Sequence, residues 1–139
     1  MNRGAGSGGP FGGPEPSVPQ AALHWERRYA ADERVWGDGP SELARLAVAR
    51  LRPYATPDVT ILDVGCGYGR DTRYLAGELG CGAVGLDPSP AAIAAARKEH
   101  ASALRRSRSA HFDAEYVAGD LGSLASDPER AGPYDVVVC

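Results

Sequence analysis

From Val59 onward, short apolar runs alternate with segments whose apolar residues recur at helical spacing. VTILDV (59–64) is β-branched and nearly continuous in apolar residues, as a strand covered on both faces should be. GCGYG (65–69) breaks it with a glycine loop, and 70–79 reads as a helix stopped by Gly80. GAVGLD (82–87) predicts a second strand ending in an acid. Ser89 and Pro90 then form an N-cap and first-turn pair for an alanine-rich helix through about Ala103. EYVAGD (115–120) predicts a third strand ending in an acid, and YDVVVC (134–139) a fourth. Between them, 121–133 reads as loop with a short helix. Strands alternating with helices imply a parallel sheet and a doubly wound α/β domain.

Upstream, Ala21 to Ala31 predicts a short amphipathic helix carrying Trp25, Arg27, Arg28 and Tyr29. Ser41 is placed to cap a second helix, whose Leu43, Leu46, Ala47 and Leu51 share a face before Pro53 and Pro57 close it. Residues 1–20 hold six Gly and four Pro but only two charged residues, Arg3 and Glu15, so too little apolar surface is present to offset ordering. They read as a disordered tail, 21–58 as an N-terminal helical cap, and 59–139 as the α/β domain.

Composition narrows the function classes. The chain of 139 residues carries 15 Lys and Arg against 18 Asp and Glu, a net charge of -3. That balance disfavours a nucleic-acid partner, which usually meets a basic face. The tail lacks the apolar segment of a secretory signal, and no run approaches membrane-spanning length. Cys66, Cys81 and Cys139 lack disulfide or metal spacing. A soluble, reduced, cytoplasmic protein without a structural metal is expected. The apolar Val136-Val137-Val138 terminus predicts a chain that stops within its sheet, with an unpaired edge open to self-association.

The candidate chemistry lies in Asp63-Val64-Gly65-Cys66-Gly67-Tyr68-Gly69. A glycine loop between strand and helix allows close backbone approach and presents free amides at the helix start. A dinucleotide fingerprint would require glycine at position 70, where Arg70 stands. Asp63 would also repel a pyrophosphate but suits an ammonium or sulfonium group. Asp87, 18 residues after Gly69, suits ribose hydroxyls, and Asp120 brings a third carboxylate to the same sheet edge. The charge logic points to S-adenosylmethionine.

ILDVGCGYGR (61–70) resembles the first motif of the class I, Rossmann-like S-adenosylmethionine-dependent methyltransferases. VGLDPSPAAIAAAR (84–97) is similar to their second motif, YVAGDL (116–121) to their third, and YDVVVC to the strand that follows. The resemblance spans 59–139 and implies a Rossmann-like sheet that lacks the family's later strands. It implies that Gly65, Gly67 and Gly69 surround the methionine end of the cofactor and that Asp63 meets its amino group. Asp87 would bind the ribose, Asp120 the adenine amino group and the Leu121 backbone the ring. The acceptor it implies is a small molecule. Residues 24–44 resemble the segment that folds over the cofactor in such enzymes, which would place Trp25, Tyr29 and Trp36 as walls and Arg28 or Ser41 near the methionine carboxylate.

Other residues carry blander readings. Cys66 sits at a helix N-terminus, yet no histidine partner stands at a fitting spacing, so it reads as structural. His24, His100 and His111 show no metal spacing; His24 alone could act as an acid or base, through its covering segment. Arg97, Lys98, Arg105, Arg106 and Arg108 read as a solvated face near a helix end. An inactive S-adenosylmethionine-binding fragment and a nicotinamide-dependent oxidoreductase fragment are the alternatives.

Overall fold

The computed structural model describes residues 18–32, 34–107 and 112–139. In chain order these form α1 (Val18–Ala30), α2 (Glu42–Leu51) with a 3-10 turn at Arg52–Tyr54, β1 (Thr60–Val64), α3 (Arg70–Leu79), β2 (Gly82–Asp87), α4 (Pro90–Arg106), β3 (Asp113–Ala118), α5 (Leu121–Ala125) and β4 (Val136–Val138). The four strands pair in parallel in the order β3-β2-β1-β4. Helices lie on both faces, the Rossmann-like arrangement that the sequence pattern implies.

The period-2 alternation of the strands divides the core. Ile61, Ala83 and Cys81 meet Ala44 and Val48 of α2 and Leu75, Ala76 and Leu79 of α3. Cys66 and Tyr116 pack with Ile93 and Ala96 of α4 on that same side of the sheet. Leu62 and Leu86 point the other way, onto Leu124 of α5, with Val64, Val84, Val117 and Tyr134 partly buried around them. Helix α2 therefore shares the core of the sheet, whereas α1 packs on α4.

Caps set most of the boundaries. Ser41 accepts a hydrogen bond from Ala44 N and Ser89 one from Ala92 N, each starting its helix where the sequence predicts. Gly80 closes α3 in the left-handed conformation.

Where the pattern lacked a cap, the boundaries moved. Helix α1 starts at Val18, so Val18 to Gln20 leave the expected tail; Pro19 suits a first turn because it gives up an amide that needs no helical partner. The rest of that tail lies outside the described residues. Helix α4 runs to Arg106 rather than Ala103.

Strand β3 spans 113–118 rather than 115–120, because β2 supplies six partners, from Gly82 opposite Asp113 to Asp87 opposite Ala118. Asp120 consequently leaves the strand and caps α5, accepting from Ser123 N at 2.8 Å. Strand β4 has three residues rather than six, so the expected long apolar edge is short, with Val137 at 59% exposure on it.

Among the other singled-out residues, His100 packs edge-on against Phe112 and Tyr116, with ring centroids at 5.2 and 5.7 Å. Arg97 leaves the basic run to donate to the Tyr116 carbonyl at 2.7 Å. Arg108 and His111 lie outside the described residues. No helix among the described residues is long and apolar enough to cross a membrane.

The two ends of α3 provide a stability test. Gly69 (φ 75°) and Gly80 (φ 62°) are both left-handed, so alanine at either costs on the order of 1 kcal/mol in backbone strain. A Cβ at Gly80 meets nothing within 4 Å, but one at Gly69 would lie 2.6 Å from Tyr116 Cε1. Denaturant unfolding should show Gly69→Ala to be the more destabilising by at least ~1 kcal/mol. Equal losses would mean that Tyr116 yields freely.

Candidate functional site

The carboxyl ends of β1 and β2 and the loops after them form a cavity of about 370 Å³, within the size range of small-molecule sites. Its floor is Asp63, Gly65, Cys66, Gly67, Asp87 and Pro88, and its far wall is Trp25, Tyr29 and Trp36. Thus Asp63, Gly65, Gly67 and Asp87, all expected from sequence, meet in one place beneath the three aromatic residues expected to cover them.

Asp87 organises this floor. One carboxylate oxygen accepts from Gly67 N at 2.9 Å and the other from Ser89 N at 2.9 Å. Each oxygen keeps a further lone pair for a ligand hydroxyl. Asp63, 5% exposed, accepts from the Thr72 hydroxyl at 2.6 Å. Burial pushes its carboxyl up to about 6; the Thr72 hydrogen bond opposes that shift, and the nearby Asp71 and Asp87 charges add to it.

Four of the amides expected to be free in the glycine loop are engaged. Gly65 N and Cys66 N both donate to the Leu86 carbonyl, at 2.8 and 3.1 Å, and Gly69 N donates to the Cys66 carbonyl at 2.9 Å. With Gly67 N held by Asp87, three of these amides join the loop to β2 and the fourth closes the loop on itself. A loop built this way offers acceptors and not an anion cradle, which weighs against a dinucleotide pyrophosphate. Space remains at Gly65, where a Cβ would meet nothing within 4 Å; at Gly67 it would strike the Tyr29 hydroxyl at 2.7 Å.

Several expected residues stand outside the cavity lining. Gly69 is the N-cap of α3, packed under Tyr116. Asp120 and Leu121 lie beyond β3, both exposed, although Gly119 N donates to the Asp87 carbonyl at 2.9 Å and so keeps them at the same sheet edge. The Asp120 carboxyl is held below the usual range by the Ser123 backbone.

Arg28 lies over the Trp25 ring, 5.7 Å from its centroid, and Ser41 caps α2 rather than facing a ligand. His24 is exposed, edge-on to Trp25. Burial, and then the Asp63 and Asp87 charges, push the Cys66 thiol well above its usual range, so it is no nucleophile.

The structure adds residues that the sequence analysis passed over. Tyr68, Arg70 and Asp71 also line the cavity. Their signal was position: all three stand at the junction of the glycine loop and the helix that follows it. Glu26 of α1 is another, bonded to the Ser89 hydroxyl and, at 3.2 Å, to Ala91 N at the start of α4. An aromatic wall facing buried carboxylates can hold a ligand that carries a positive charge and a diol. S-adenosylmethionine is such a ligand, and the donor set fits it.

Residues 61–139 match the family described as Methyltransferase domain. No curated protein matches the chain. Among solved structures, one reported for the conversion of a disulfide bond into a thioacetal group during echinomycin biosynthesis is 27% identical, with a TM-score of 0.54, over 73% of this chain and 40% of that one. Cofactor-bound Rv0187 from MTB is 23% identical, with a TM-score of 0.56, over 88% of this chain and 52% of that one. Magnesium protoporphyrin IX methyltransferase from Synechocystis PCC 6803, solved with bound SAH, is 21% identical, with a TM-score of 0.53, over 93% and 48%. The chain thus spans about half the length of the solved structures it matches.

Asp63 gives the site a pH signature. Its folded value, about 6, exceeds the ordinary 3.8, so between about pH 4 and 6 the folded chain holds a proton that the unfolded chain has lost. Its contribution therefore favours folding below about pH 4 and turns unfavourable as pH rises through 6. Asp63→Asn removes that dependence. In urea unfolding, the variant should gain on the parent by on the order of 2 kcal/mol between pH 4 and 7. A constant difference across that range would refute the assignment.

Proposed function

Because this chain belongs to the methyltransferase-domain family, which uses S-adenosylmethionine, we propose that it binds this cofactor in the cavity beneath Trp25, Tyr29 and Trp36 and serves methyl transfer to a small-molecule acceptor. The observation that carries the reading is the pairing of buried Asp63 with Asp87 at adjacent strand ends, beside a loop in which the amides of Gly65, Cys66, Gly67 and Gly69 are already used. The echinomycin-related structure supports a small-molecule acceptor.

When bound, S-adenosylmethionine supplies a methyl group activated by a sulfonium charge. The chain's part is positional. Asp63 meets the amino group, and its ionised form is favoured once a cation stands beside it. Asp87 takes the ribose hydroxyls with its remaining lone pairs, held in place by Gly67 N and Ser89 N. Gly65 leaves room for the methionine end, while Gly67 and Gly69 act indirectly, fixing Asp87 and the start of α3. Asp120 and Leu121 border the adenine end. The aromatic wall would offer ring faces to the sulfonium charge, and alignment of donor and acceptor is the main lever on a displacement of this kind.

A cytoplasmic location accords with three free cysteines, two of them buried. Self-association through the β4 edge is proposed on the exposure of Val137. Binding without turnover is the second reading. No histidine lines the cavity among the described residues, and neither Asp63, tied to Thr72, nor the Cys66 thiol is free to act as a base.

Calorimetric titration with S-adenosylhomocysteine tests the cofactor site. Saturable binding is expected, weakened at least tenfold by Asp87→Ala, with NADH giving no heat. A folded chain that binds neither S-adenosylhomocysteine nor S-adenosylmethionine would sink the proposal.

A further inference from the structure

Residues 34–41 cross above the cavity with little secondary structure of their own, yet their backbone is gripped repeatedly from below. The Tyr68 hydroxyl donates to the Gly37 carbonyl at 2.6 Å and accepts from Trp36 N at 3.2 Å. Arg70 donates to the Trp36 carbonyl at 2.5 Å and to the Gly39 carbonyl at 2.9 Å. Asp71 accepts from Ser41 N at 2.7 Å. The Tyr68 ring is 4% exposed and has the Arg34 guanidinium over its face, 5.2 Å from the centroid. Arg34 in turn pairs with Glu99 of α4.

Trp36 itself is 53% exposed and touches Trp25, with ring centroids at 5.9 Å. Its place in the cavity wall therefore owes little to burial. Both of its own backbone groups are taken by side chains from the loop and α3, its N–H by Tyr68 and its carbonyl by Arg70. A half-exposed residue just ahead of the two glycines of a strap, Gly37 and Gly39, would otherwise sample many conformations.

We propose that Tyr68 is a positioning residue: it acts through the backbone of Trp36 and Gly37 to set the Trp36 indole as a wall of the cofactor cavity. Arg70 completes the hold by taking the Trp36 carbonyl, in the peptide between the two that Tyr68 grips. Tyr68 sits between Gly67, whose amide fixes Asp87, and Gly69, which opens α3. The same five-residue loop therefore places the ribose-binding carboxylate and the aromatic wall. The second half of this statement rests on the cofactor reading above; the first half does not.

The chain has two tryptophans, Trp25 and Trp36, so Trp25→Phe leaves Trp36 as the sole reporter. In that background, Tyr68→Phe keeps the ring and removes only the hydroxyl. Time-resolved fluorescence anisotropy should show a larger amplitude of fast Trp36 motion in the variant, with the circular dichroism spectrum unchanged. The affinity for S-adenosylhomocysteine should fall roughly 3- to 10-fold, as expected for lost hydrogen bonds. Arg70→Gln should move both readouts the same way.

Unchanged anisotropy in Tyr68→Phe would overturn the proposal. Loss of the fold would also overturn it, since Tyr68 would then be structural and not positional. If the parent protein fails to bind S-adenosylhomocysteine while the anisotropy shift is present, the cofactor reading fails and the hold on Trp36 stands.

Discussion

The site depends on one carboxylate being shared. Asp87 accepts from Gly67 N with one oxygen and from Ser89 N with the other, and so joins the loop after β1 to the loop after β2. Neither loop is regular structure, and each would otherwise carry an unsatisfied amide in a region from which water is largely excluded. With both amides engaged, the loops hold one separation, and the space between them and α1 becomes a cavity of defined shape. Ser89 extends the chain of contacts, because its hydroxyl caps α4 and also meets Glu26 of α1. One path of hydrogen bonds thus runs from the glycine loop through Asp87 and Ser89 to the helix that carries Trp25 and Tyr29.

Legibility in the sequence follows the range of the interaction that sets each feature. Helices α2, α3 and α4 start as predicted because their signals are local: Ser41 and Ser89 bond amides three residues away, and the loop glycines take conformations that few other residues tolerate. Strand β3 was displaced by two residues because its limits come from β2, and no residue within 115–120 encodes where β2 begins. The cavity-lining carboxylates at 63 and 87 were legible because a strand end is itself a place in space. The grip on the strap was not, since Tyr68 with Gly37 and Asp71 with Ser41 are pairs about thirty residues apart that follow no period. Nor did the sequence show that the amides of Gly65 and Cys66 are spent on Leu86; that depends on β1 and β2 being neighbours in register.

The division of labour among the three glycines illustrates the same point. Their spacing alone implies one shared role around a ligand. In the structure only Gly65 faces open space, Gly67 lies against the Tyr29 hydroxyl, and Gly69 lies against the Tyr116 ring. A missing Cβ leaves open space in the cavity at the first and permits close packing at the other two. One spacing therefore encodes three local demands.

The electrostatics of the floor make the empty-handed site less comfortable than the filled one. Asp63 is buried within reach of the Asp71 and Asp87 charges, and hydrogen bonds from Thr72, its hydroxyl first and then its backbone, favour the ionised form against them. A cation placed beside it reverses the largest of these penalties, because opposite charge stabilises the form that burial disfavours. The aromatic wall works in the same direction: it withholds water, which raises the carboxyl further, and it presents ring faces that attract positive charge. Floor and wall therefore select for charge jointly, and neither would do so as well alone. A neutral ligand of the same shape would fill the cavity but leave Asp63 as it was. A cationic one also recovers the free energy withheld by burying the carboxylate, and linkage turns that recovery into added stability of the fold.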